Sequence, residues 1–193
     1  MKIIAFTGAK GCGKDTVAEI VRRQCAPDYP MIRQLAFADP IKQRIQFLFG
    51  LKDTYEYDLF KRTQLTYMDR SMDGRHLVRE IGMMMREYDS QQFNRYVEAQ
   101  FNNPRNQLQK SLFLVTDMRF DNEYTMLRQY HATIVKVSRP NYAYDGHITE
   151  RGFDDQLVDF HLVNDGSLED LEAKVIKMIN SKEFGVQYET YRK

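Results

Sequence analysis

The chain has 193 residues and a mass of 22.9 kDa, room for one large domain or a domain with a small insertion but not for two full domains. Hydrophobic residues make up 42% of it and charged residues 28%, which excludes a disordered tail, a collagen and a coiled coil. Lys and Arg total 28 against 27 Asp and Glu, so at a net charge of +1 no strong field exists to hold a polyanion, and no nucleic-acid partner is expected.

The longest apolar runs, such as Leu112 to Val115, are far too short to cross a bilayer. One Lys and a four-residue apolar stretch before Thr7 fail as a signal peptide, so no membrane partner is expected. The two cysteines, Cys12 and Cys25, cannot supply a four-ligand zinc site, and no paired histidines complete one. A reducing, cytoplasmic setting follows.

Lys2 to Thr7 is β-branched and aromatic and reads as a strand. Lys14 to Cys25 reads as a helix with Val17, Ile20 and Val21 on one face. A second strand is expected over 32–38. A helix then runs from Pro40 to Phe49, with Pro in its first turn and Gly50 as its stop. Residues 51–75 are polar, Tyr-rich and without a clear period. Helices are expected over 76–88 and 93–101. Ser111 to Asp117 is apolar without alternation, as in a strand covered on both faces. Then come a helix over 120–130, a strand over 132–138, an Asp-, Gly- and aromatic-rich loop over 140–158, and a short strand over 161–164. A last helix has Ser167 at its cap, with Asp170 in the capping-box position. The tail from Ser181 is polar. Alternating strands and helices imply an α/β fold with a mainly parallel sheet, whose ligands bind at the carboxyl ends of the strands.

Two strand ends carry the chemistry. After the first strand, Gly8-x-x-Gly11-Cys12-Gly13-Lys14 has the spacing of a phosphate-binding loop, with a helix following it. Its glycines allow backbone conformations closed to residues with a Cβ, so that successive amides form a nest for phosphate oxygens. The helix adds its positive end, and Lys14 places an ammonium against the β- and γ-phosphates. The usual Ser or Thr after the Lys is replaced by Asp15. Its carboxylate is a hard oxygen donor for Mg²⁺, directly or through water; the alternatives are a base near the transferred phosphoryl and a favourable acid in a first helical turn. Thr16 reads as an α-phosphate contact.

The second strand end delivers Asp117, with Arg119 two residues on and Glu123 four further. If extended, Asp117 and Arg119 share a side about 7 Å apart. A helix would align Arg119 and Glu123 as an ion pair. An acid and a planar cation together suit a nucleotide's phosphate and its sugar or base edge.

The phosphate loop, Ala36-x-Ala38-Asp39-Pro40-Ile41-Lys42, Asp117-x-Arg119-x-x-x-Glu123, Arg139-Pro140 with His147 to Glu150, and Val163 to Leu168 form a series that resembles the bacteriophage deoxynucleoside monophosphate kinases. The resemblance covers most of the chain and is weakest over 51–75 and the tail. It implies a P-loop NTPase three-layer αβα sandwich, nucleoside monophosphate kinase-like, in one domain. The core would be about 1–39, 104–139 and 159–180, the helical acceptor-binding region about 40–103 and the lid about 139–158. It implies transfer of the γ-phosphoryl of ATP to a dNMP with Mg²⁺, and a homodimer. On that scheme Gly8, Gly11, Cys12, Gly13, Lys14, Asp15, Thr16, Arg139, Asn164 and Gly166 serve ATP. Asp39, Lys42, Arg79, Tyr96, Asp117, Arg119 and Glu123 serve the dNMP, and His147, Glu150 and Arg151 belong to the lid. Lys14, Asp15, Asp117, Arg119 and Arg139 are the catalytic candidates. Tyr96 stands where relatives often have Trp, and Arg44 accompanies Lys42 on one helix. The rival acceptor is dephospho-coenzyme A. The rival classes are a GTPase switch, for which the guanine motif is missing, and a non-catalytic nucleotide-binding module.

Overall fold

The computed structural model describes residues 1–67, 70–107, 110–140 and 153–185. They divide into two compact units, Phe37–Glu98 and the remainder. In the larger unit a five-stranded parallel sheet has the order β2-β5-β1-β6-β7, formed by β1 (Lys2–Thr7), β2 (Met31–Leu35), β5 (Ser111–Val115), β6 (Thr133–Ser138) and β7 (Phe160–Val163). β1 lies at its centre. Its neighbours β5 and β6 both come later in the chain, one on each side, which makes the carboxyl end of β1 the place where a crevice opens.

The apolar runs explain this placement. All six residues of β1 and all five of β5 are buried, as strands covered on both faces must be. On one face Ile4, Phe6, Leu112, Leu114, Val135 and Val137 pack with Val17, Val21, Val175 and Met178 from α1 (Lys14–Cys25) and α8 (Leu168–Ile179). On the other face Phe113 meets Phe101 edge-on, with ring centroids 5.1 Å apart. Phe101 closes α5 (Gln92–Phe101), and α7 (Asp121–Gln129) follows β5. The short helices α6 (Pro104–Gln107) and α9 (Lys182–Gly185) complete this unit. Ser167 and Asp170 form the expected capping box: the Asp170 amide reaches Ser167 Oγ at 3.2 Å, and the Ser167 amide reaches Asp170 Oδ2 at 2.9 Å.

The smaller unit holds α2 (Asp39–Leu48), α3 (Thr54–Phe60), the antiparallel pair β3 (Gln64–Tyr67) and β4 (Arg70–Asp73), and α4 (Gly74–Tyr88). Gly82 of α4 lets α2 approach, since a Cβ there would lie 3.1 Å from Ile41 Cδ1. Two expected strands are revised, and one stretch left without an assignment is filled. The second strand stops at Leu35 rather than 38, because α2 already begins at Asp39. The stretch 51–75 is structured: Asp53 caps α3 by accepting from the Glu56 amide at 2.9 Å, and a strand pair follows. The third strand ends at Val115, two residues short of Asp117.

Lys2 is buried, with Nζ 2.8 Å from the Phe184 carbonyl and 3.3 Å from the centre of its ring. Burial pushes its pKa from 10.5 down to about 8, with Cys25 opposing and Lys110 assisting. A base depressed on folding leaves the unfolded chain with the extra proton between about 8 and 10.5, so its contribution to stability rises with pH across that window. The melting temperature of the wild type relative to a Lys2→Met variant is expected to climb between pH 8 and pH 10. A difference independent of pH would mean that the ammonium is not desolvated.

Candidate active site

The chain turns sharply after Thr7. Gly8, Gly11 and Gly13 all have positive φ, at 136°, 75° and 108°. At Gly8 a side chain is excluded outright, since a Cβ would lie 2.0 Å from the Val137 carbonyl oxygen of β6. Gly13 is the N-cap of α1, in left-handed conformation and without a side-chain cap, so the helix starts with its positive end open to a ligand.

Lys14 folds back over this turn. Its Nζ donates to the carbonyls of Gly8 and Ala9, each at 2.7 Å, and lies 3.8 Å from Cys12 Sγ. The residue is 8% exposed, so its charge sits inside the loop. Cys12 is fully buried; burial pushes its thiol up, and the neighbouring ammonium pulls it back. Asp15 and Thr16, in the first turn of α1, are exposed.

Asn164, just past β7, donates from Nδ2 to the Cys12 carbonyl at 3.0 Å, and its own amide reaches the Ser138 carbonyl at 2.7 Å. A Cβ on Gly13 would stand 2.7 Å from that same Nδ2. Asn164 thus ties the phosphate loop to the far edge of the sheet. A contact spanning 152 residues leaves no trace in local sequence. A Cβ on Gly166 would crowd the Asp170 carboxylate, at 2.5 Å from Oδ2, and so disturb the cap of α8. Lys174 holds this turn through the Val163 carbonyl at 2.8 Å and through Asp165.

At the end of β5 the Thr116 amide keeps register with β2, reaching the Leu35 carbonyl at 3.1 Å. Regular continuation from the Ala5–Val115 pairing would then bring the Asp117 amide to the Phe6 carbonyl. The amide found there, at 3.2 Å, is that of Met118. One extra residue is accommodated, a bulge that re-aims Asp117 and breaks the alternation expected to set Asp117 and Arg119 on one side.

Glu123 is fully buried, and its Oε2 accepts from the amides of Arg119 at 2.7 Å and Phe120 at 3.2 Å. The helix begins at Asp121, after Arg119, so the two residues do not share a helix as the i,i+4 reading supposed, and the Glu123 carboxylate caps the backbone between them. Burial on orphan amides makes Glu123 a brace for the turn carrying Asp117 and Arg119.

Arg139 is exposed just beyond β6. The chain coming back towards β7 is fastened to β6 and α7: Arg128 pairs with Asp159 at 2.7 Å, Lys136 with Asp155 at 2.7 Å, and Ser138 Oγ lies 2.8 Å from His161 Nε2. His147, Glu150 and Arg151 lie outside the described residues.

The smaller unit carries its own cluster. Asp39 opens α2, and Tyr96 of α5 is raised in pKa by burial first and by the Asp39 charge second, while a hydrogen bond with Gln43 opposes the shift. Gln43, one turn after Asp39, was not signalled by any motif. Lys42 contacts Thr54 Oγ1 at 3.2 Å and lies 5.6 Å from the Tyr57 ring. Arg79, half-buried on α4, sits apart from the glycine-rich turn in sequence and element.

A central parallel sheet with a glycine-rich turn, a buried Lys over that turn and an acidic bulge on the adjoining strand define a P-loop phosphotransferase. Residues 83–175 match the family model for deoxynucleotide monophosphate kinase, and the chain is related to those enzymes. A protein of Acanthamoeba polyphaga mimivirus described as "Putative deoxynucleotide monophosphate kinase" is 23% identical over 194 residues, covering 94% of this chain and 97% of that one. The deoxynucleotide monophosphate kinase of Enterobacteria phage T4 is 41% identical over 64 residues, 33% of this chain and 27% of that protein. Dephospho-CoA kinase from Campylobacter jejuni shares the fold, with a TM-score of 0.51 at 17% identity over 96% of this chain and 99% of that one.

A Glu123→Ala variant should lose about 1–3 kcal/mol of stability, the cost of leaving buried amides unpaired. The change is expected as a lower midpoint in thermal or urea unfolding. Unaltered stability with a selective rise in KM for the acceptor would return Glu123 to the substrate.

Proposed function

We propose that the protein transfers the γ-phosphoryl of ATP to a deoxynucleoside monophosphate, giving ADP and the dNDP, by in-line displacement without a covalent intermediate. The observation that carries this reading is the phosphate loop closed over by Lys14, in a chain whose residues 83–175, Asp117 to Glu123 among them, match the deoxynucleotide kinase family. The core, about 1–39, 104–139 and 159–180, takes ATP. The region about 40–103 takes the acceptor, and about 139–158 forms the lid.

The acceptor phosphate oxygen is already anionic, so the transfer needs positioning and charge neutralisation more than a base. The loop amides and the start of α1 hold the donor phosphates, and Lys14 offsets charge on the moving phosphoryl. Asp117 and Arg119 grip the acceptor, and Arg139 approaches from beyond β6. Asp39 and Tyr96, with Gln43 beside them, suit the sugar and base of the monophosphate, where the aromatic ring offers a stacking face.

Among the described residues no group of three or more His, Cys, Asp or Glu could cage a metal. That suits Mg²⁺, which is commonly held by one or two carboxylates together with substrate phosphates and water. The exposed Asp15 beside the loop and the half-buried Asp117 have the right donor chemistry. When bound, the ion would screen the β- and γ-phosphate oxygens. Both cysteines are free and buried, as suits a reducing cytoplasm, that of the host for a phage-encoded enzyme.

Lys14→Ala is expected to abolish turnover while the fold survives. Asp117→Asn and Arg119→Ala should each lower kcat/KM for the dNMP far more than they weaken ATP binding. A coupled ADP-release assay over all common dNMPs, NMPs and dephospho-coenzyme A checks both, and equal losses for donor and acceptor would move Asp117 and Arg119 to the ATP side. Preference for dephospho-coenzyme A would replace the acceptor and leave the phosphate loop in place.

The homodimer has a surface to use. Phe47, Leu48, Phe49, Tyr55 and Leu59 of the smaller unit are 80%, 71%, 46%, 76% and 56% exposed. Together they offer apolar area on the order of 600 Å², most of the roughly 800 Å² that one side of a standard interface buries. Sedimentation equilibrium should give a dimer for the wild type and a monomer for Phe47→Asp. A monomeric wild type would remove the dimer from this scheme.

A further inference from the structure

Thr7 is 1% exposed, and its Oγ1 is buried without a hydrogen-bond partner among the described residues. A dry, unpaired hydroxyl costs free energy that valine, with a methyl in its place and the same β-branching, would not incur. The fold alone therefore has no use for it. Its position does. Thr7 is the last residue of β1, directly before Gly8 of the phosphate loop, and is paired with Lys136 on the β6 side. On the β5 side it stands level with the bulge at Asp117, where Met118 has taken the amide position next to Phe6. Asn106 also has a buried oxygen without a partner, but its amide nitrogen is tied to the Gln100 carbonyl at 2.6 Å in α6, away from the strand ends.

We infer that Thr7 is a positioning residue of the phosphoryl-transfer site: its hydroxyl donates to the Asp117 carboxylate once nucleotide is bound, and so fixes the carboxylate that the bulge has turned out of register. This rests on the kinase reading above and adds to it a residue that no motif marks. The bulge leaves Asp117 without the alternation that would hold a strand residue's direction. A donor from the neighbouring strand restores that direction, and it finds its own partner only in the loaded site.

The test is a pair of substitutions measured in the full chain. Thr7→Val is expected to melt at the same temperature as the wild type or higher, because an unmet polar group is removed. Its kcat should nevertheless fall at least tenfold, the factor expected for one hydrogen bond to a charged group, with the KM for ATP little changed. Thr7→Ser, which keeps the hydroxyl, should restore most of the rate. The rise in melting temperature produced by Mg·ATP with dNMP should be smaller for Thr7→Val than for the wild type and for Thr7→Ser. In a double-mutant cycle, the double variant Thr7→Val with Asp117→Asn should cost little more than Asp117→Asn alone, so that Thr7→Val adds almost nothing once the carboxylate is gone. A lowered melting temperature for Thr7→Val would assign the hydroxyl to the fold and overturn the inference, as would unchanged turnover or strict additivity with Asp117→Asn. A wild type that neither binds Mg·ATP nor releases ADP would bring down the kinase reading and this inference together. An active wild type matched by Thr7→Val brings down the inference alone.

Discussion

The structure depends on how closely the turn after β1 lies against β6. Gly8 passes so near the Val137 carbonyl that no side chain fits between them, and this contact forces the chain upward into the loop that α1 then continues. The loop is gripped from three directions: Lys14 from within, Asn164 from beyond β7 and the apolar face of α1 from below. A phosphate nest made of main-chain amides works only if the amides cannot turn away. Folding has already ordered these groups, so little of the binding energy of a triphosphate goes into arranging them.

The acidic side of the site is built on a different principle. β5 is apolar throughout and would carry regular pairing to its end, yet the pairing slips by one residue just where the acid stands. Glu123 then spends its carboxylate on two backbone amides of the following turn. A bulge and a buried cap together hold a short segment in an irregular shape that strand pairing alone would not give. Two charged residues of the same motif therefore do different work. Asp117, half-buried, is the one to which we assign the acceptor, whereas Glu123, wholly buried, supports the backbone of the same turn.

Much of this could be read from local signals, and the exceptions share a physical cause. The glycine spacing, the β-branched first strand, the unbroken apolar run of β5 and the Ser167–Asp170 cap each specify their structure within a few residues, and each was foreseen. The segment from 51 to 75 is not legible in this way, because α3 is a two-turn helix too short to show a period, and its start is set by the Asp53 cap and by Glu56 reaching back to the Lys52 amide. The i,i+4 spacing of Arg119 and Glu123 describes a helix, and the helix starts only after Arg119, so the backbone contacts of the Glu123 carboxylate have no periodic signal. Asn164 is expected to serve ATP because it follows the last core strand, and the side-chain amide that it donates to the Cys12 carbonyl of the phosphate loop has no local signal at all. Periodicity carries information about neighbours along one element. It carries none about which carbonyl on a distant strand a side-chain amide will reach.

Asn164 also joins the two halves of the proposed chemistry. Its amide proton is spent on Ser138, the last residue of β6, and its side chain on the phosphate loop. Arg139 follows Ser138 directly, and Ser138 Oγ is in turn engaged by His161. One residue and two hydrogen bonds therefore join the end of β6 to the loop proposed to hold the donor. Phosphoryl transfer demands that charge be in place at both ends of the moving group at the same moment. On the scheme proposed here, a short link between the end of β6, next to Arg139, and the turn that bears Lys14 meets that demand more directly than two independently anchored cations could.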